Sequence, residues 1–400
     1  MAERKKKITK NQLKSWKLLQ QFRTMLEAHP ATPDSENKRG GAKRLLTEDD
    51  YFCAFLFAQF NPVIDSMRGL CAASKFEKVQ EQVCSRPMSL GSFSEAQSAF
   101  GFERLELIFQ NLANENIHQF QANSKAPKQL LQALRLVDSS VFKALPRMAW
   151  AHWRTQGKQQ SAVRLHFSYQ VLDHKAADAV ISTAKLCERK AFEEMIKPGE
   201  FYIGDRNYSR DYKLLGRMDE LGCSFLIRLC EGAVVTVCEE LALTEEDRKA
   251  GVISDQIVQL GASKRYKTQK LRLIRIEKPD LEEPILLITN HLSPDDLSAK
   301  LLAEIYRERW AIELFFKWLK CIFGKATKWH WFAESEEGVN IQLYSALIAS
   351  LLLARKLGKL PNKRTMEALH WHQLGMISDE ELQAALDRSK PEKSTSKKIK

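Results

Sequence analysis

Residues 306–320 read YRERWAIELFFKWLK, with Tyr306, Arg309, Glu313 and Lys320 at offsets of 0, 3, 7 and 14. At about 100° per residue those positions fall within about 60° of one another on an α-helix. One helix face therefore presents a phenol, a guanidinium, a carboxylate and an ammonium in a row, with Lys317 beside them. Trp310, Ile312, Leu314, Phe315, Phe316, Trp318 and Leu319 fill the remaining surface, so the helix is expected to be embedded on most other sides. Two readings of the face stay open. Arg309 and Glu313 make an ordinary i,i+4 pair on a solvent-facing stripe, or Glu313 is a carboxylate held among cations that can neutralise phosphate oxygens.

Two acids further upstream bear on that choice. In LRLVDSS (134–140) a strand pattern runs through Leu134, Leu136 and Val137 and reaches Asp138 at its C-terminal end. In FYIGDRNYS (201–209), Phe201, Ile203 and Asp205 share one strand face by period two, and Gly204 permits close approach. Singly, each acid also reads as a turn former or helix cap, Asp205 most readily for a helix expected from Asn207 to Leu221. Together they are two acids at strand ends and a third on a later helix. Two-metal phosphoryl transfer needs hard carboxylate oxygens converging from several elements on two Mg²⁺ ions roughly 3.5–4 Å apart, with Mn²⁺ able to substitute. Thiolates or imidazoles would select other metals.

The spacing Y-x2-R-x3-E-x6-K is matched by Tyr306, Arg309, Glu313 and Lys320 and resembles the YREK motif of the IS-four family of bacterial insertion-sequence transposases, members of the DDE class. LVDSS and YIGDRNY resemble that family's first-Asp and second-Asp strands, and RLH at Arg164–His166 resembles the strand between them. The similarity covers about residues 130–355. It implies an α/β fold, with an RNase H-like catalytic core interrupted by a β-rich insertion and preceded by an all-helical DNA-binding region. It further implies Asp138, Asp205 and Glu313 as catalytic metal ligands, and Tyr306, Arg309, Lys320 and Lys317 as contacts to DNA phosphates. The insertion would account for the 108 residues from Asp205 to Glu313, against 67 from Asp138 to Asp205. The implied partners are double-stranded DNA, as element ends and as target, and a second copy of the chain in a synaptic complex. Two departures stand out: Asn207 occupies a place where several relatives have a small residue, and no Trp occurs between Trp153 and Trp310. Some members use an insertion Trp to stack a flipped base. Tyr266 is the one aromatic ring in residues 230–285 that could take its place.

Bulk properties agree with a polyanionic partner. The chain has 400 residues and a formal charge of +12; residues 1–50 carry twelve Lys/Arg against seven Asp/Glu, and residues 381–400 carry six against three. A hydrophobic share of 44 % is ample for packed cores. The eight cysteines are scattered without a CxxC pair, as expected of reduced core thiols rather than a zinc site. MAERKKKITK has no apolar run behind it to make a secretory signal, and Ile341–Ala354 is read as a buried helix rather than a membrane span. A cytoplasmic, nucleoid-associated protein that does not enter membranes is expected. Pattern and composition divide the chain into a basic helix and linker (1–45), a helical DNA-binding region (46–130), a first core part (131–229), a β-rich insertion (230–285), a second core part with the catalytic helix (286–357), and a helical segment with a basic tail (358–400). Within the helical region, Thr47 is a plausible N-cap, and Ser92 stands at capping-box distance from Glu95 in a segment resembling a helix-turn-helix. A catalytically silent DNA-binding regulator derived from such an enzyme, and an RNase H-like nuclease that only hydrolyses, share much of this pattern.

Overall fold

The computed structural model describes residues 14–31, 44–114, 133–155, 158–170, 175–262, 267–278, 281–325, 328–329, 331–357 and 361–388. Tyr266, His330, the basic start and the basic tail lie outside them. The chain divides into two compact units, one of residues 1–115, 144–150 and 315–400 and the other of residues 116–143 and 151–314.

The first unit is helical. It comprises α1 (Lys14–Ala28), α2 (Glu48–Phe60), α3 (Met67–Ala73), α4 (Glu77–Gln82), α5 (Leu90–Ala96) and α6 (Glu103–Asn114), and its later helices are described below. Thr47 caps α2 by accepting from the Asp50 N–H. The cap of α5 is Ser89, which accepts from the Ser92 N–H, so Ser92 stands inside the helix and not at its start. The earlier hydroxyl wins because it sits on the last extended residue, where it can reach the free amides.

The second unit is built on one ten-stranded mixed sheet. Its strands are β1 (Leu134–Lys143), β2 (His152–Thr155), β3 (Lys158–Gln170), β4 (Lys175–Thr183), β5 (Phe201–Gly204), β6 (Ser224–Arg228), β7 (Val235–Glu240), β8 (Val252–Leu260), β9 (Leu271–Ile276) and β10 (Ile285–Thr289). Their order is β2-β3-β1-β5-β6-β10-β9-β8-β7, with β4 also paired to β3. β1, β3 and β4 are antiparallel; β1, β5 and β6 are parallel; β6 onward is antiparallel again. The parallel centre needs crossover helices, here α7 (Glu188–Met195) before β5 and α8 (Tyr212–Glu220) before β6. Phe192 of α7 and Leu214, Leu215 and Met218 of α8 join Val137, Tyr202, Phe225 and Ile227 of the sheet in one buried cluster, which continues into Val258, Leu271 and Ile288. Residues 230–285 therefore extend the same sheet, adding β7–β9 and the short helix α9 (Glu245–Lys249).

Beyond β10 come α10 (Ala299–Arg307) and α11 (Trp310–Phe323). A single helix is expected through this stretch, but it breaks at Glu308 and Arg309. There the Arg309 N–H donates to the Tyr306 carbonyl and the Ala311 N–H to that of Glu308, both three residues back. Such bonds tighten the turn between the two helices. Helix α11 crosses from one unit to the other between Leu314 and Phe315.

In the helical unit, α12 (Glu336–Leu357) is long and apolar enough to cross a membrane by length and composition, yet 94 % of its apolar window is buried inside the protein. Two of its polar residues have partners there: Gln342 accepts from the Phe332 N–H and Tyr344 donates to Glu106 at 2.8 Å. Helices α13 (Lys363–Gln373) and α14 (Asp379–Arg388) follow. All eight cysteines are free; Cys53, Cys71, Cys84 and Cys223 are buried, whereas Cys238 is exposed on β7. That strand is an edge of the sheet, and five of its six residues are exposed.

The least replaceable contact in the sheet unit is a fully buried ion pair. Arg272 of β9 donates to both oxygens of Asp255 on β8, at 2.8 and 2.5 Å, and its other nitrogen donates to the Leu297 carbonyl at 2.6 Å. Removing one partner would strand the other charge. Arg272→Ala is expected to cost about 3–5 kcal/mol in urea denaturation, whereas Lys249→Ala, which breaks the exposed Lys249–Glu245 pair, should cost no more than about 0.5 kcal/mol.

Candidate active site

The geometry starts from β1 and β5. Their parallel pairing runs Leu134↔Phe201, Arg135↔Tyr202 and Leu136↔Ile203, and stops there. Asp138 is two residues beyond Leu136 and Asp205 two beyond Ile203, so continued alternation sets the two acids side by side. Asp138 is not at the end of its strand: β1 runs on to Lys143, paired only with β3. It stands where the parallel neighbour is lost and a gap opens. Openings at the carboxyl ends of parallel strands are where ligands enter such sheets.

Each acid is held locally. Asp138 Oδ1 accepts from the Ser139 N–H at 2.7 Å. Asp205 Oδ1 accepts from the Asn207 N–H at 2.8 Å, which folds residues 205–208 into a turn. Asp205 is not a helix cap; that role falls to Asp211, which accepts from the Lys213 and Leu214 N–H groups at the start of α8. The turn needs Gly204, because a Cβ there would lie 2.8 Å from the Tyr208 ring.

Glu313 arrives on the first turn of α11, where its Oε1 accepts from Arg309 at 2.7 Å. The Arg309 guanidinium lies 5.9 Å from the Tyr306 ring centre. Burial alone would lower Arg309, but Tyr306, Glu313 and Asp138 together hold it above its ordinary value. Asp138 is pushed up to about 7, first by burial and then by the nearby carboxylates of Glu188 and Asp205, with Ser139 and Arg309 opposing. Burial likewise raises Tyr306, which feels Arg309, Arg228 and Asp205. Arg309 thus bonds Glu313 and feels the charge of Asp138, and Tyr306 feels that of Asp205, which links the helix residues to the two strand acids. Lys317 and Lys320 lie further along α11, within the residues grouped with the helical unit, and both have partners of their own.

One expectation changes. Trp310 and Leu314 are 43 % and 44 % exposed, so the start of α11 is not embedded all round. On a helix turning about 100° per residue both stand beside the polar face, at about 40° and 80° from Tyr306, so their exposure continues that stripe. His166 pairs across the sheet with Ser139, one place off the Asp138↔Phe167 pair, and so points to the other face. It meets Ser182 at 3.0 Å, and burial holds it down at about 4, so it is neutral and structural.

The sequence pattern does not signal several residues found here. Glu188, the first residue of α7, accepts from Asn207 Nδ2 at 2.6 Å and from the Tyr208 hydroxyl at 3.1 Å. Arg189, Arg206 and Arg210 join Asp205 and Asn207 around an open cleft of about 600 Å³. Arg206 pairs with Glu231, and Arg189 lies 3.9 Å from Asp211. Arg206 and Arg210 follow Asp205 closely in the sequence itself, but Glu188 and Arg189 reach the site only through the β4–α7 crossover.

For a divalent metal, the donors have the right chemistry: carboxylate oxygens, crowded enough to raise Asp138, with no thiolate or imidazole among them. Among the described residues no three His, Cys, Asp or Glu side chains are gathered closely enough to hold one ion, and Glu313 is turned to Arg309.

A family model described as Transposase DDE domain matches residues 130–352, and the chain belongs to that family. The chain is 28 % identical over 222 residues to "Probable transposase for insertion sequence element IS5377" of Geobacillus stearothermophilus, a match covering 55 % of each protein. It is 26 % identical over 250 residues to "Putative transposase y4zB" of Sinorhizobium fredii, covering 60 % of this chain and 65 % of that one. The matches thus span between about half and two-thirds of those relatives' lengths. A solved piggyBac transposase synaptic complex with hairpin DNA aligns over 96 % of this chain and 86 % of that one, at 11 % identity and a TM-score of 0.41.

The Asp138 carboxyl sets a pH test in metal-free protein. Its folded value of about 7 lies above the ordinary carboxylate value of 3.8. Its contribution to stability is full below the lower value and is lost as pH rises through the upper one. Asp138→Asn should therefore melt several degrees higher than wild type at pH 8, a gain of about 1–3 kcal/mol. The gain should shrink below pH 7 and vanish near pH 4. A constant gain at every pH would show that the Asp138 charge is not its source.

Proposed function

We propose that this protein is a DNA transposase of the IS-four type that cleaves the ends of its own insertion element and joins the 3′-OH ends to target DNA by two-metal phosphoryl transfer. The observation that carries the reading is the convergence of Asp138 and Asp205 past the last parallel pair of β1 and β5, with Glu313 linked to them through Arg309. The strand arrangement around it supports an RNase H-like core: three antiparallel strands, β4-β3-β1, followed by β5 and β6 parallel to β1. Residues 230–285 are then an insertion that lengthens this sheet.

On this reading Asp138, Asp205 and Glu313 hold two Mg²⁺ ions, with Mn²⁺ a substitute. Bound there, the cations would sharpen the attacking oxygen and offset charge on the leaving one. The protein's own part is positioning. The strand acids are fixed by Ser139 and Asn207, and Glu313 would be the third ligand. Tyr306 and Arg309 would contact the DNA phosphate, as would Lys317 and Lys320 further along α11. The arginines of the open cleft add charge that favours a polyanion. Residues 46–130 would recognise the element ends, and a homodimer would bring two ends together. A cytoplasmic, nucleoid-associated location follows from that substrate.

The test is a strand-transfer assay with full-length protein, element-end duplex, target DNA and Mg²⁺. Cleaved 3′ ends and joined products are expected, with Glu313→Gln and Asp205→Asn each reduced at least about a hundredfold. Activity surviving in Glu313→Gln would overturn the catalytic assignment. Cleavage without joining would make the protein an RNase H-like nuclease, and tight end binding without any chemistry would make it a regulator of transposition.

A further inference from the structure

Two residues of α7 grip the turn that carries Asp205. Phe192 packs edge-on against the Tyr208 ring, with centroids 5.1 Å apart. One helical turn earlier on the same face, Glu188 accepts from Tyr208 with one oxygen and from Asn207 with the other. Asn207 is the link: its side chain donates to Glu188 while its backbone N–H donates to Asp205 at 2.8 Å. Tyr208 in turn sits hard against Gly204, on the other side of Asp205.

A clamp made only for packing would not need a charge. Glutamine is as long as glutamate but offers one acceptor oxygen where two donors wait. A carboxylate satisfies both, at the cost of a like charge beside Asp138 and Asp205. That cost is relieved when a cation occupies the site, which ties the clamp to ligand binding. We propose that Glu188 is a positioning residue that holds the 205–208 turn through Asn207 and Tyr208, and so fixes the Asp205 carboxylate for a divalent cation. The proposal rests on the assignment of Asp138, Asp205 and Glu313 as cation ligands.

The experiment titrates Mn²⁺ alone into full-length protein by calorimetry at fixed pH, without DNA. Glu188→Gln is expected to weaken Mn²⁺ binding about tenfold or more, as loss of a residue that orients a ligand does. Because Glu188 acts through the turn, adding Asn207→Ala to Glu188→Gln should weaken binding little further. Wild-type Mn²⁺ affinity in Glu188→Gln overturns the proposal, and so does full additivity of the two changes. If Glu188→Gln does not fold, Tyr208→Phe and Asn207→Ala decide, and wild-type affinity in both overturns it. Asp205→Asn separates the two levels. If it loses Mn²⁺ while Glu188→Gln does not, only the clamp is wrong. If wild-type protein takes up no Mn²⁺, the ligand assignment falls and the clamp with it.

Discussion

Everything at the site depends on where β1 and β5 stop pairing. While the two strands are paired, the face that Asp138 and Asp205 continue by period two is apolar: Leu134, Leu136, Phe201 and Ile203 are fully or almost fully buried, whereas Arg135 stands on the other face with Glu200. A carboxylate within that stretch would lie between apolar layers without a partner. Two residues further on, each acid keeps the fixed direction of its strand, but the neighbour that would have covered it is gone. The sheet thus supplies rigidity to groups it could not tolerate one pair earlier.

The arrangement has an electrostatic cost, visible at Asp138. Burial and like charges push it up, and the positive charge facing it comes from Arg309, which Glu313 shares. On an unbroken helix Tyr306, Arg309 and Glu313 would form one stripe; here Arg309 stands in the tight turn between α10 and α11, and its guanidinium lies over Tyr306 while bonding Glu313.

That difference marks what a sequence can carry. The strand acids were legible because period two and strand length are local properties, and the pattern located both on β1 and at the end of β5. The spacing of Tyr306, Arg309 and Glu313 was legible for the same reason, since three and seven residues bring side chains to one side of a helix even when it is bent. The i→i+3 turn was not, because no Pro or Gly announces it and the competing hydrogen bonds differ little in energy. Glu188 was invisible for another cause. It stands 17 residues before Asp205, on a crossover helix whose docking is set by Phe192 and the buried cluster rather than by any spacing.

The far end of the sheet matters to the same chemistry. Helix α10 begins where the 230–285 segment holds it: Asp247 of α9 accepts from the Lys300 N–H at 2.8 Å, Lys300 Nζ reaches Glu246 at 2.6 Å, and Arg272 holds the Leu297 carbonyl just before the Ser298 cap. The Asp255–Arg272 pair is satisfied on every side, which is the condition under which a buried charge pair fixes geometry without leaving an orphan. Tyr306 and Arg309 sit at the other end of that short helix. The strands added beyond β6 therefore do more than lengthen the sheet: they anchor the start of α10, the helix that leads through the Glu308–Arg309 turn to Glu313.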